Sequence, residues 1–78
     1  MKLWINSQEK EFAHGILLST LLAQLGIKSD RVAVELNGEI ASRTRWETIV
    51  LNEGDRLEIV HFVGGGAPGN GSPWEAPS

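Results

Sequence analysis

The composition of the chain changes abruptly at Gly64, and this break limits how much of it can fold. Residues 1–63 mix short apolar and polar stretches, whereas the remainder reads GGGAPGNGSPWEAPS. A segment so rich in Gly, Pro and Ser buries too little apolar area to order itself. The sequence therefore predicts one small domain, taken as residues 1–66 to include the three glycines, and a disordered tail over residues 67–78.

A domain of this size buries only about 60% of the surface of its unfolded chain, so its core is small. It has no room for a deep catalytic pocket, and no Ser, His and acid set with the makings of a hydrolase is visible. We therefore expect a protein that is not an enzyme, with its function on the surface or at a chain end. The formal charge of −3 argues against a nucleic-acid partner, which requires clustered Lys and Arg.

The chain contains no cysteine, which excludes a disulfide, a thiolate metal site and a cysteine nucleophile. His14 and His61 are too few to form a metal site without a carboxylate cluster. The N-terminus lacks a secretory signal, and even the longest apolar runs, such as residues 16–18, are far too short to span a bilayer. We expect a cytoplasmic protein with no membrane partner and no metal.

Alternating polarity at the start of the chain predicts a β-hairpin. Leu3 and Ile5 lie on one face of a strand over residues 2–6, and Trp4 lies on the other. A short turn then leads into a second strand over residues 9–13, which returns beside the first.

One amphipathic helix is predicted next. Four leucines follow the i, i+3, i+4, i+7 spacing of a single helix face: Leu18, Leu21, Leu22 and Leu25. Gly26 supplies the left-handed residue that commonly ends a helix. The helix start has no clear capping signal, because Ser19 and Thr20 fall inside the apolar pattern.

Two further strands and an irregular segment complete the domain. A third strand over residues 32–36 ends at the turn dipeptide Asn37–Gly38 and is expected to continue beyond it over residues 39–42. Residues 43–50 are ambiguous, and a last strand covers residues 56–63. The anchors predicted for these segments are Trp46, Ile49, Leu57 and Ile59.

This element order predicts an α+β fold. A mixed sheet of four to five strands with one helix packed on one face satisfies the two-layer requirement for a core. The arrangement is the β-grasp, or ubiquitin-like, architecture.

The end of the last strand is the candidate functional region. By alternation Trp4, Val60 and Phe62 face away from the helix, and with Val63 and Gly64 they predict an apolar docking surface beside the glycine run. Glycine runs are commonly simple linkers. However, a segment without side chains can also enter a narrow channel in a partner and present a terminal carboxylate there for activation, for example by adenylation.

Two segments carry a specific resemblance. NGEIASRTRW, residues 37–46, resembles the "N-G-E-V-V-P-R-x-x-W" segment of ThiS-family proteins, and NEGDRLEIVHFVGGG, residues 52–66, resembles their closing segment. The similarity covers residues 1–66, with Ser42 standing where proline is usual. The residues matching the family are Arg43, Trp46, Gly65 and Gly66, with Gly64 at a small-residue position.

The resemblance implies a sulfur carrier for thiamine (thiazole) biosynthesis. A ThiF-like (E1-like) enzyme would use ATP and magnesium to adenylate Gly66, so that the carrier itself binds no cofactor. Sulfur from a cysteine desulfurase would convert this terminus, formed by Gly65 and Gly66, to a thiocarboxylate. Thiazole synthase would then take the sulfur.

The chain departs from the family pattern after Gly66, since residues 67–78 follow where relatives end. A peptide bond to Ala67 leaves no carboxylate to adenylate. We therefore expect cleavage between Gly66 and Ala67, for which a metalloprotease of the JAMM type is the candidate. The alternative is that the tail is a linker.

Other functions share this fold. A MoaD-like subunit of molybdopterin synthase, or a carrier for cysteine or siderophore biosynthesis, would use the same terminal chemistry. A ubiquitin-like modifier would join Gly66 to lysines, whereas a β-grasp interaction module would not use the terminus at all.

Overall fold

The computed structural model describes residues 1–62. This part contains five strands, one α-helix and two 3₁₀ turns, the latter at Ser29–Arg31 and Arg43–Arg45. The strands are β1 (Lys2–Ile5), β2 (Gln8–Glu11), β3 (Val32–Leu36), β4 (Glu39–Ala41) and β5 (Arg56–His61), and the helix is α1 (Leu18–Gln24). The predicted tail lies outside the described residues.

The strands form one mixed sheet in the order β2-β1-β5-β3-β4. The central pair β1 and β5 is parallel, and the other pairs are antiparallel. Two hairpins thus flank a pair formed by the two ends of the domain. This is the β-grasp topology, and the predicted α+β fold is confirmed.

The core lies between α1 and one face of the sheet. Twelve buried apolar side chains form it: Leu3, Ile5, Ile16, Leu18, Leu21, Leu22, Val32, Val34, Trp46, Leu51, Leu57 and Ile59. The inward faces predicted for β1, β3 and β5 are confirmed, as are three of the four helix leucines, while Leu25 is half-buried. We call this side of the sheet the inner face and the opposite side the outer face.

The turn between β1 and β2 sets the second strand. Asn6 and Ser7 both have positive φ, 49° and 69°, and form a two-residue turn that pairs Ile5 with Gln8. The ladder closes where Lys2 meets Glu11. The observed strand therefore begins and ends earlier than the strand predicted over residues 9–13, because β1 begins at Lys2 and offers residue 13 no partner.

Backbone carbonyls from elsewhere in the chain, and no side chain, cap the start of α1. Leu17 at the N-cap makes no side-chain hydrogen bond. Instead, Leu18 N–H donates to the Ile49 carbonyl over 2.9 Å and Ser19 N–H donates to the Trp46 carbonyl over 3.0 Å. The helix ends at Gln24, and Gly26 adopts a φ of 72°, as predicted. Within residues 1–62, no helix has the length and apolarity needed to cross a membrane.

Candidate functional site

The last strand lies in the middle of the sheet and leads to Phe62. β5 is held by β1 on one side and by β3 on the other, and the Phe62 N–H donates to the Arg31 carbonyl over 2.8 Å. The point from which the chain continues toward the glycine run is therefore fixed to the sheet. The predicted docking, terminal and processing sites comprise eight residues. Five of them lie outside the described residues: Val63, Gly64, Gly65, Gly66 and Ala67.

The side chain of Asn6, in the turn between β1 and β2, holds β5 in place just before its end. Asn6 Nδ2 donates to the Ile59 carbonyl over 3.2 Å, and the Ile59 N–H donates to Asn6 Oδ1 over 2.7 Å. The amide thus satisfies both backbone groups of Ile59 on the side where a continuation of β1 would have paired with them. It extends the ladder beside β5 after β1 has turned away.

Val60 and Phe62 lie on the outer face, as predicted, and both are half-buried. Val60 is paired across the sheet with Ala33 of β3. On the next strand, Ile40 of β4 is opposite Glu35 and is 56% exposed. We call Ala33, Ile40, Val60 and Phe62 the outer patch.

Trp4 does not belong to this patch, although it was predicted to. It faces outward but is paired with Arg56 at the start of β5, four positions before Val60. Four residues of strand span about 13 Å. The Trp4 ring is instead covered by the Arg56 guanidinium, whose carbon lies 5.7 Å from the ring centroid.

Sequence reasoning missed Ile40, although a signal was present. A two-residue turn at Asn37–Gly38 places residue 36 opposite residue 39, and therefore Glu35 opposite Ile40. Because Leu36 faces inward, Glu35 and its partner must face outward. The turn dipeptide thus already placed Ile40 on the outer face.

Arg43 and Trp46, which match the family pattern, make contacts that stabilise the fold. Trp46 is 4% exposed, and its Nε1–H donates to the Ala41 carbonyl over 2.8 Å. Arg43 Nη2 donates to the Val32 carbonyl over 3.2 Å, and its guanidinium carbon lies 5.6 Å from the Trp46 ring centroid. The two residues tie the irregular segment to β3 and β4.

His61 is exposed at the end of β5, and His14 is exposed before α1. Among residues 1–62, no three His, Asp or Glu side chains are grouped so that they could hold a metal ion. The candidate functional features at this end of the domain are the outer patch and the chain that continues from Phe62.

Comparison with known proteins adds to this geometry. The model of the "ThiS family" matches residues 3–66. The thiazole synthase of Paramagnetospirillum magneticum is 45% identical over 67 residues, which are 86% of this chain and 21% of that protein. The sulfur carrier protein ThiS of Bacillus subtilis is 43% identical over 49 residues, 63% of this chain and 74% of that protein.

A solved structure shares the architecture. The crystal structure of the thiamine biosynthesis protein ThiS from Geobacter metallireducens superposes with a TM-score of 0.75 at 32% identity, covering 85% of this chain and all of that one. The chain spans about a fifth of the length of the thiazole synthases that it matches. The match to the family model ends at Gly66, the last residue of the glycine run.

Proposed function

The chain belongs to the ThiS family, and on that premise we propose that it is a sulfur carrier protein for thiazole formation in thiamine biosynthesis. The observation that carries the proposal is the family match over residues 3–66, which closes on Gly66. The similarity to a protein named sulfur carrier protein ThiS supports it.

The working group in this proposal is the carboxylate of Gly66, with Gly65 before it. A carboxylate oxygen attacks the α-phosphorus of ATP and pyrophosphate leaves, which produces an acyl adenylate. The terminal sulfur of a persulfide then displaces AMP from the acyl carbon and forms an acyl disulfide. A thiol that attacks the other sulfur of this disulfide releases the thiocarboxylate and leaves a new disulfide behind. The carrier is the co-substrate of these steps and not their catalyst.

The reagents belong to partners. ATP and magnesium are bound by a ThiF-like adenylating enzyme, and the sulfur comes from a cysteine desulfurase through that enzyme. Thiazole synthase is the proposed sulfur acceptor, and the similarity of this chain to proteins of that name supports the assignment. The reactions are placed in the cytoplasm, where these partners and ATP are expected.

The described geometry suits such a carrier. The hydrogen bonds of Asn6 to Ile59 and of Phe62 to Arg31 hold the base of the terminal segment. From that base to Gly66 is four residues, which span at most about 14 Å when extended. Side-chain-free residues over the last part of this reach would fit a narrow channel.

A free carboxylate at Gly66 requires hydrolysis of its bond to Ala67. We propose that a protease of the JAMM type makes this cut. The intact chain should then be inert toward ATP, and the product that ends at Gly66 should be active.

The test is intact mass spectrometry of the chain ending at Gly66 after incubation with ATP, the activating enzyme and a sulfur source. The expected result is the mass change of an oxygen-to-sulfur exchange, localised to Gly66 by fragmentation. Gly66→Ala, incubated in parallel, should form the product much more slowly, whereas an interaction module would be insensitive to that change. Failure of the wild-type chain to acquire AMP or sulfur would refute the proposal.

A further inference from the structure

Two carboxylates face each other across the middle of the outer face. Glu35 of β3 is paired with Glu58 of β5, and the neighbouring hydrogen bonds Phe62 N–H to Arg31 and Asn37 N–H to Arg56 show that this is a hydrogen-bonded pair. The Cα atoms of such a pair are about 5.5 Å apart. Like charges directly opposite on one face destabilise a sheet.

Residues 1–62 supply no cation for this pair. Among the described residues, the one salt bridge joins the Met1 amine to Glu11, so neither Glu35 nor Glu58 has a cationic partner within 4.0 Å. Arg56 shares their face, but its guanidinium is stacked on Trp4. Residues 63–78 contain no Lys, Arg or His, so that segment cannot provide the charge either.

The acidic pair is continuous with the outer patch. Ile40 lies opposite Glu35 on the next strand, and Val60 follows Glu58 by two positions on the same face. No helix or strand of residues 1–62 covers this side, since α1 packs against the inner face. An uncovered surface that combines apolar side chains with two uncompensated carboxylates is complementary to a basic and apolar one.

The position of the pair indicates the kind of partner that covers it, namely an enzyme that acts on Gly66. An enzyme that holds Gly66 in its active site must come within about 14 Å of Phe62, since four residues reach no further. Phe62 is itself part of the outer patch, four positions after Glu58 on the same face. A protein docked there would therefore meet the acidic pair.

Resting on the proposed function, we infer that the activating enzyme places an Arg or Lys side chain between Glu35 and Glu58, flanked by apolar side chains that cover Ile40 and Val60. A guanidinium suits the position because it binds carboxylates through several hydrogen bonds at once. The pair lowers the stability of the free carrier and strengthens the complex. Its removal should consequently shift stability and affinity in opposite directions.

The experiment compares two double variants of the full chain that lose the same number of charges. Glu35→Gln/Glu58→Gln removes the pair. Glu39→Gln/Glu47→Gln is the control, because both side chains are exposed and neither has a hydrogen bond or ion pair among the described residues. Glu39 is opposite Leu36 and therefore points away from the outer face. Thermal unfolding and the Kd for the purified activating enzyme are measured for each, at low and at high salt.

The pair variant should unfold about 3 °C higher than wild type and bind the enzyme about tenfold more weakly. Its Kd should also depend less on salt, because a charged contact has been lost. The control should change Kd by less than about twofold. Equal Kd values for the two variants, a lower unfolding temperature for the pair variant, or no binding of the wild-type chain would each overturn the inference.

The two proposals fail separately. Docking of the full chain needs no free carboxylate, so its Kd is independent of sulfur chemistry at Gly66. If the chain ending at Gly66 never acquires AMP while the Kd difference persists, the carrier function is refuted and the docking surface stands. If adenylation proceeds and the Kd difference is absent, the carrier function stands and the charged contact is refuted.

Discussion

The side-chain amide of Asn6 pairs with both backbone groups of Ile59, at 3.2 Å to the carbonyl and 2.7 Å from the N–H. Asn6 has already left β1, with a φ of 49°, yet its side chain completes the ladder beside β5. One residue thus performs two tasks, turning the hairpin and holding the strand that leads to the functional end.

Asn6→Ala should destabilise the domain by about 2–4 kcal/mol, because the Ile59 backbone groups lose their partners and alanine disfavours positive φ. Asn6→Gly removes the amide but tolerates the turn, so it should cost about 1 kcal/mol less. Urea unfolding measures both. Two variants as stable as wild type would show that the amide contributes nothing to the ladder.

Ser7→Gly should stabilise the domain by about 0.5–1 kcal/mol, since Ser7 has a φ of 69° and such turns favour glycine at this position. The control is Ser42→Gly, where φ is −60° and added backbone freedom should cost about 0.5–1 kcal/mol. Thermal unfolding should move in opposite directions for the two changes. A shift of the same sign in both would contradict the role of φ.

Trp46→Phe should cost about 2–3 kcal/mol, because it removes the Nε1 hydrogen bond to Ala41 and leaves unfilled volume in the core. Arg43→Met keeps the indole and its bond, and it should cost about 1 kcal/mol through loss of the contact with the ring and of the hydrogen bond to the Val32 carbonyl. Chemical unfolding distinguishes the two. A larger loss for the Arg43 variant would assign the stabilising role to the guanidinium.

The Leu18 and Ser19 amides should exchange slowly with solvent, although they begin a helix of seven residues. Each donates to a carbonyl of the irregular segment, whereas the Thr20 N–H has no backbone acceptor in the described part of the chain. Hydrogen exchange followed by NMR should therefore give faster exchange at Thr20 than at Leu18 and Ser19. Equal rates at all three amides would indicate that the helix start opens on its own.

Ile40→Ser should weaken binding of the activating enzyme about tenfold, because Ile40 belongs to the outer patch. Val50→Ser is matched to it, with a side chain 51% exposed against 56% for Ile40, but Val50 lies in the bridge to Leu17 and away from the outer face. Its Kd should stay within about twofold of wild type. Calorimetric titration gives both values, and equal losses would remove the patch from the interface.

The alternating polarity of the strands correctly predicted the face of the sheet on which each side chain lies. It did not predict how neighbouring strands are aligned along their length. Leu3, Ile5, Leu57 and Ile59 point into the core as expected. Trp4 was placed on the correct face and at the wrong end of β5, since its level is set by a pairing between residues 4 and 56. A period of two residues specifies which way a side chain points, and it carries no information on how two distant strands are aligned.

The sequence by itself determined the element order, the inner faces, the turn at Asn37–Gly38 and the resemblance that leads to Gly66, because each depends on residues close together in the chain. Only the tertiary structure decided the rest: the cap of α1 by the carbonyls of Trp46 and Ile49, the hold of Asn6 on Ile59, and the meeting of Glu35 with Glu58. These contacts join segments that are 18 or more residues apart in the numbering. These contacts are set by the packing of the whole core, which no local sequence pattern specifies.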